Sequence, residues 1–192
     1  MSISLSKGRA ISLTKAAPGL SIVQAGLGWD PRETTGVEFD LDASVLVCDA
    51  NGRCLDESWF VFYGQLQSPG GSVVHAGDNQ SGVGEGDDEV VTVNLNSLPA
   101  QAARVVFGVS IHDADARRQN FGQVQNSYIR LVDTVSGSEV ARYDLEDEFA
   151  TETAVVFGEF QRSGAEWNFV AVGQGFQGGL AGMIAAFGLQ AG

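Results

Sequence analysis

The chain has 192 residues, 44% of them hydrophobic and including Phe 11 and Trp 3, which is ample for a core and unlike a disordered protein. Asp and Glu number 24 against 11 Lys and Arg, a formal net charge of −13. Such a surface repels nucleic-acid phosphates and anionic head groups, which argues against a nucleic-acid binder and makes cations the natural partner.

The opening, MSISLSKGRAISLTK, lacks the apolar run of a signal peptide, and no stretch approaches the roughly 18 apolar residues of a membrane span. A cytoplasmic protein that does not span a membrane is expected. Strand-like runs follow one another along the chain: ISLSK, ISLTK, LSIVQAGLGW, FDLDASVLV, SWFVFY, SVVH, EVVTVNL, RVVFGVSI, SYIRLVD, EVARYDL, TAVVFGEF and EWNFVAV. Gly, Asn, Asp or Ser separate them, the spacing of a sandwich or barrel. FDLDASVLV alternates, with Phe39, Leu41, Ala43, Val45 and Val47 on one face. Helix is scarce: NSLPAQAAR and DADARRQN are read as single turns, GLAGMIAAFG as a short closing helix. Nothing marks a linker, so residues 1–192 are read as a single domain.

Cys48 and Cys54 flank CDANGRC, where Asn51-Gly52 reads as a two-residue hairpin turn. In that register Cys54 faces Asp49 and Cys48 faces Leu55, so the thiols point to opposite sheet faces and should not bridge. They look poorly placed for redox work. His75 and His112 fall near neither cysteine in sequence, which leaves a zinc or haem site without support.

The chemistry-bearing stretch is GDNQSGVGEGDDE, residues 77–89, between SVVH and VVTVNL. Its glycines let the backbone fold back and turn carbonyls inward. Asp78, Glu85, Asp87, Asp88 and Glu89 supply hard oxygens, with Asn79, Gln80 and Ser81 as neutral ones, a set suited to calcium. Asp78 to Glu89 has the length of an EF-hand loop, but Gln80, Gly82 and Val83 fail its third, fifth and sixth positions and flanking helices are missing. The plain alternative is a solvated acidic loop. A second element, FDLDAS, puts Asp40 and Asp42 on one side of a strand about 6.6 Å apart, with Glu38 and Asp30 in the stretch before it. Paired carboxylates also serve glycosidases, though usually from different elements. His112-Asp113 lacks a Ser or Cys in an elbow context, and Arg117 and Arg118 are read as internal ion-pair partners. The glycines of GVGEG and GQGFQGG do not fit a dinucleotide fingerprint.

LSKG…ISLTKAAPGL, GLGWD, FDLDAS, GDNQSGVGEGDDE, IHDADARRQNFGQV, ARYDL and GQGFQGGL occur in this order along nearly the whole chain. Together they resemble the TerD family of bacterial tellurite-resistance and stress-response proteins. The resemblance implies an all-β fold, a β-sandwich of two mostly antiparallel sheets with a few short helices, one near the C-terminus. It also implies Ca2+ at the acidic loops, no enzymatic activity, and a stress pathway whose partners are other Ter proteins, including a membrane component. A peripheral position at the inner face of the membrane is compatible with that. The family loop reads close to GDNRTGEGDGDDE, so Gln80, Val83 and Glu85 are departures, and Val83 costs one carboxylate. Asp30, Asp40, Asp42, Asp78, Asn79, Asp87, Asp88 and Glu89 match. With Glu85 they form the expected metal set, enough for two calcium ions. Two alternatives stand beside this binding module: a metal-dependent enzyme using the same carboxylates, and a calcium-dependent membrane-docking sandwich, for which Val83 is the only hint.

Overall fold

Alternation of apolar and polar residues divides this chain between two sheets, each of which needs the other to cover its apolar face. The structure is a computed structural model that describes residues 2–31, 37–77, 86–145 and 149–190. The first sheet has the order β1 (Ile3–Leu5), β10 (Glu139–Asp144), β9 (Val124–Asp133), β3 (Ile22–Pro31), β7 (Glu89–Asn94) and β6 (Val73–His75). The second has the order β2 (Ala10–Ser12), β12 (Glu166–Phe176), β11 (Ala154–Ser163), β8 (Arg104–Ile111), β4 (Leu41–Cys48) and β5 (Phe60–Val61). Every pairing is antiparallel except β1 on β10.

The space between the sheets is filled as the alternation predicts. Phe39, Leu41, Ala43, Val45 and Val47 meet Val23, Ala25 and Leu27 of β3, Val91 and Val93 of β7, and Phe107 of β8 in one cluster. Strand β4 is nevertheless buried along its whole length. Its other face carries Leu46 and Cys48, which join Phe60, Val106, Ala154 and Val156 under Met183 and Ile184 of the C-terminal helix α3 (Gly179–Ala186). The second sheet is therefore covered on both faces.

Three local readings need correction. ISLTK is strand only to Ser12; the Ser12 hydroxyl then accepts the Lys15 amide at 3.3 Å and starts a helical turn, α1 (Leu13–Ala16). SWFVFY is strand only at Phe60–Val61, because Asp56 caps a 3-10 turn over Glu57–Trp59. The cysteine hairpin is longer than a two-residue turn: Asp49 N donates to Arg53 O at 2.8 Å and Leu55 N to Val47 O at 3.0 Å, which places Cys48 directly opposite Cys54. The Asp49 carboxylate widens that turn by accepting the amides of Asn51 and Arg53. DADARRQN does contain a helical turn, α2 (Ala114–Arg117), whereas NSLPAQAAR makes turns closed by Ser97 N to Asn94 O and Ala102 N to Pro99 O.

Two glycines test this packing in opposite directions. Gly158 sits at the register shift between β11 and β12, where a Cβ would lie 2.5 Å from the Phe169 ring and 2.9 Å from the Val170 carbonyl. Gly158→Ala should lower stability by about 1–3 kcal/mol, the usual range for an overpacked core. Gly182, inside α3, has open space at its Cβ position and no positive φ. Gly182→Ala should raise stability by up to about 1 kcal/mol through helix propensity. Denaturant melts of both variants check the pair.

Candidate functional site

The acids singled out above come together at the end of the sandwich where β3 finishes and β4 and β7 begin, but in three different layers. Register pairs Leu27 of β3 with Glu89 of β7. Across the sandwich, the Ala43 amide of β4 donates to Glu89 Oε2 at 2.6 Å, so this one side chain joins the two sheets. Asp78, Asn79 and Glu85 lie outside the described residues.

Glu89 is the inner layer, with 2% of its surface exposed. Besides the Ala43 amide, its Oε2 has His75 Nε2 at 3.1 Å. The other ring nitrogen of His75, Nδ1, accepts the Gly77 amide at 3.0 Å. An Nδ1 that accepts carries no proton, so Nε2 bears the hydrogen and the imidazole is neutral. His75 thus donates a hydrogen bond to Glu89 without cancelling its charge. Glu89 Oε1 is buried and has no hydrogen-bond partner among the described residues. A buried carboxylate with one orphaned oxygen and only neutral donors is costly unless a cation approaches it.

Asp87 forms the second layer, on the outer face of the first sheet. Arg130 of β9 grips it with two parallel bonds, Nε to Oδ1 at 2.7 Å and a terminal nitrogen to Oδ2 at 3.0 Å. The Tyr128 hydroxyl adds a third at 3.0 Å, and burial followed by that bond pushes the phenol up to about 12. Gly26 makes room: a Cβ there would lie 2.0 Å from Asp87 Oδ2. Asp87 is therefore satisfied by protein, and it occupies the guanidinium of Arg130.

Asp88 lies between these layers, half-buried, with Oδ2 accepting the Trp29 amide at 2.8 Å. Burial pushes its carboxyl up, the Trp29 amide opposes that, and the charges of Asp30, Asp87 and Glu89 push it further up. Asp30 is exposed and accepts from Asn126 Nδ2 at 2.8 Å.

The third layer is the outer face of the second sheet. Asp42 is 8% exposed, with His112 Nδ1 at 3.9 Å from its Oδ2, and His112 Nε2 lies 3.5 Å from Asp113. They line a cleft of about 380 Å³ with Ser110, Thr153 and the start of α3. Asp40 has a buried Oδ1 without a hydrogen-bond partner among the described residues. The segment before it is pinned from behind: Gln119 Nε2 donates to the Val37 carbonyl at 2.8 Å, and Arg117 to the Glu38 carbonyl at 3.3 Å.

Among the described residues, no three His, Cys, Asp or Glu side chains are grouped closely enough to hold a metal ion by themselves. What they offer is a partial set of hard oxygens: Glu89 Oε1, Asp88 and Asp30 on one side of the end, Asp40 and Asp42 on the other. Sequence reasoning does not single out His75, Tyr128, Arg130 or Gln119 as site residues. The signal for His75 is the hairpin register, which pairs it with Val91, two residues past Glu89. For Arg130, 43 residues from Asp87, no local signal exists.

No helix among the described residues is long and apolar enough to cross a membrane. The TerD domain profile matches residues 1–187. The chain is 52% identical over 191 residues to the tellurium resistance protein TerD of Serratia marcescens, covering 100% of both chains. It is 51% identical over 193 residues to general stress protein 16U of Bacillus subtilis (strain 168), again covering 100% of both. A solved homologue of telluride resistance protein (TerD) from Streptomyces coelicolor A3(2) superposes with a TM-score of 0.70 at 26% identity, over 90% of this chain and 100% of that one. A match along the whole length, at half identity and with the same two-sheet architecture, has one reading: the chain belongs to the TerD family.

Proposed function

We propose that this protein is a calcium-binding stress-response module that acts by binding rather than by catalysis, with two Ca2+ at the acidic end of the sandwich. The observation that carries the reading is the buried Glu89 carboxylate, whose Oε1 has no hydrogen-bond partner among the described residues while His75 donates to Oε2 as a neutral ring. Asp88, pushed up by burial and by three neighbouring acids, adds to a local excess of negative charge. The guanidinium of Arg130 is already held by Asp87.

Glu89, Asp88 and Asp30 would hold one ion and Asp40 and Asp42 the other, with Asp78, Asn79 and Glu85 of the loop completing the shells. Asp87 serves this arrangement indirectly, by anchoring the start of β7 through Arg130. Calcium would supply the positive charge that no described side chain brings to Glu89 Oε1, and its irregular shell of six to eight ligands suits a glycine-rich loop better than the strict octahedron of magnesium. Family membership supports a role in the response to tellurium and other stress, in the cytoplasm or at the inner face of its membrane, with other Ter-type proteins as partners.

Calcium titration of chelator-stripped protein should give two sites per chain, with magnesium competing poorly. Glu89→Gln keeps the acceptor for the Ala43 amide but removes the buried charge, and should reduce the count to one. Asp42→Asn should remove the other site instead. No calcium binding in the micromolar to millimolar range, or a count untouched by either variant, contradicts the reading. Full calcium affinity in Asp42→Asn together with lost stress protection in cells favours a metal-dependent enzyme.

Stability should follow occupancy. A site filled at 100 times its dissociation constant adds about 2.7 kcal/mol to the folded state. The melting temperature should therefore rise with calcium and far less with sodium at equal ionic strength. Coincident melts in calcium and in chelator count against the reading.

A further inference from the structure

Cys48 and Cys54 are the chain's two cysteines, and the hairpin sets them face to face. The bonds from Asp49 to Arg53 and from Leu55 to Val47 flank this pair, which makes it a non-hydrogen-bonded pair of an antiparallel ladder. The Cα atoms of such a pair are about 4.5 Å apart, at the short end of the roughly 4.4–6.8 Å that a disulfide spans. A bond between the two sulfurs therefore needs no backbone rearrangement.

The two thiols are inequivalent. Cys48 is fully buried in the cluster beneath α3, while Cys54 is half-buried. Cys54 stands beside an open cleft lined by Arg53, Asp56, Gly188 and Leu189. Contact with Cys48 holds the Cys54 thiol below its usual range, and the same contact together with burial pushes Cys48 up. By burial alone, Cys54 is the thiol a disulfide in the cleft can reach and Cys48 lies behind it, the division of labour of an exchanging dithiol. The Cys54 amide also donates to the Phe187 carbonyl at 2.8 Å, so the end of α3 fixes this side of the hairpin.

We propose that Cys48 and Cys54 form a thiol–disulfide exchange site that takes a small uncharged disulfide as substrate and closes to a reversible cross-strand disulfide. The Cys54 thiolate attacks one sulfur of the substrate, whose S–S bond breaks and releases one thiolate; that thiolate takes up the proton Cys54 gave up. Cys48 then attacks the Cys54 sulfur of the mixed disulfide and transfers its proton to the second departing thiolate. The protein dithiol is oxidised by two electrons and the substrate is reduced to two thiols. An uncharged substrate follows from the net charge of −13, which repels anionic disulfides.

The test is to treat the native protein with bis(2-hydroxyethyl) disulfide and follow free thiols and intact mass. Both thiols should disappear with the loss of two hydrogens, without covalent links between chains, and dithiothreitol should restore both. Cys48→Ser should stop at a stable mercaptoethanol adduct on Cys54, and Cys54→Ser should leave Cys48 unreacted. A lasting adduct on Cys54 of the native protein with Cys48 still free, chain-to-chain crosslinks, or thiols that do not react overturns the proposal. The native-protein arm decides the matter even if a serine variant folds poorly.

Discussion

A carboxylate buried between two sheets is the constraint around which one end of this protein is arranged. Glu89 reaches from the start of β7 to the Ala43 amide on β4, and His75 closes over it from β6. Removing a charge from water is expensive, and neutral donors on one oxygen recover part of the cost. The second oxygen is left for something the described residues do not provide. The surrounding placements follow from that: Asp87 is turned outward and held by Arg130, which leaves Asp88 and Glu89 facing the end of the sandwich without a cationic side chain among the described residues.

The second constraint is that the second sheet is covered twice. Packing of α3 on the outer face of β4, β8 and β11 turns what would be a solvated face into a small second core. It explains why β4 is buried throughout and why Asp42 and Ser44 are buried polar residues. It also creates the two recesses at either end of α3: the cleft of Asp42 and His112 at its start, and the niche of Cys54 at its end. One short helix thus links the acidic end of the sandwich to the cysteine hairpin.

Much of this architecture is legible in the sequence because it rests on period-2 alternation. The face of FDLDASVLV carrying Phe39 to Val47 follows from the alternation alone, as do the strands on either side of the acidic loop. The misreadings arise where a single side chain overrides the alternation. Ser12 and Asp56 cap turns that cut two strands short, and Asp49 widens the cysteine hairpin and reverses the relation of its thiols. The acids are recognisable as candidates by residue type, but their inequivalence is not, because it is set by distant partners: Arg130 for Asp87, Trp29 for Asp88, Ala43 for Glu89. Residue type tells which side chains can bind a cation; only the fold tells which of them are already occupied.

If the reading is right, Glu89 Oε1, unpartnered among the described residues, faces a cation. A crystal structure of the protein grown with calcium, with anomalous difference density collected at a long wavelength, tests it at the atom concerned. A calcium peak is expected within direct ligand distance of Glu89 Oε1, with His75 still donating to Oε2. A calcium peak elsewhere, with Glu89 Oε1 bonded to a water molecule or to a backbone amide of the loop, would contradict it.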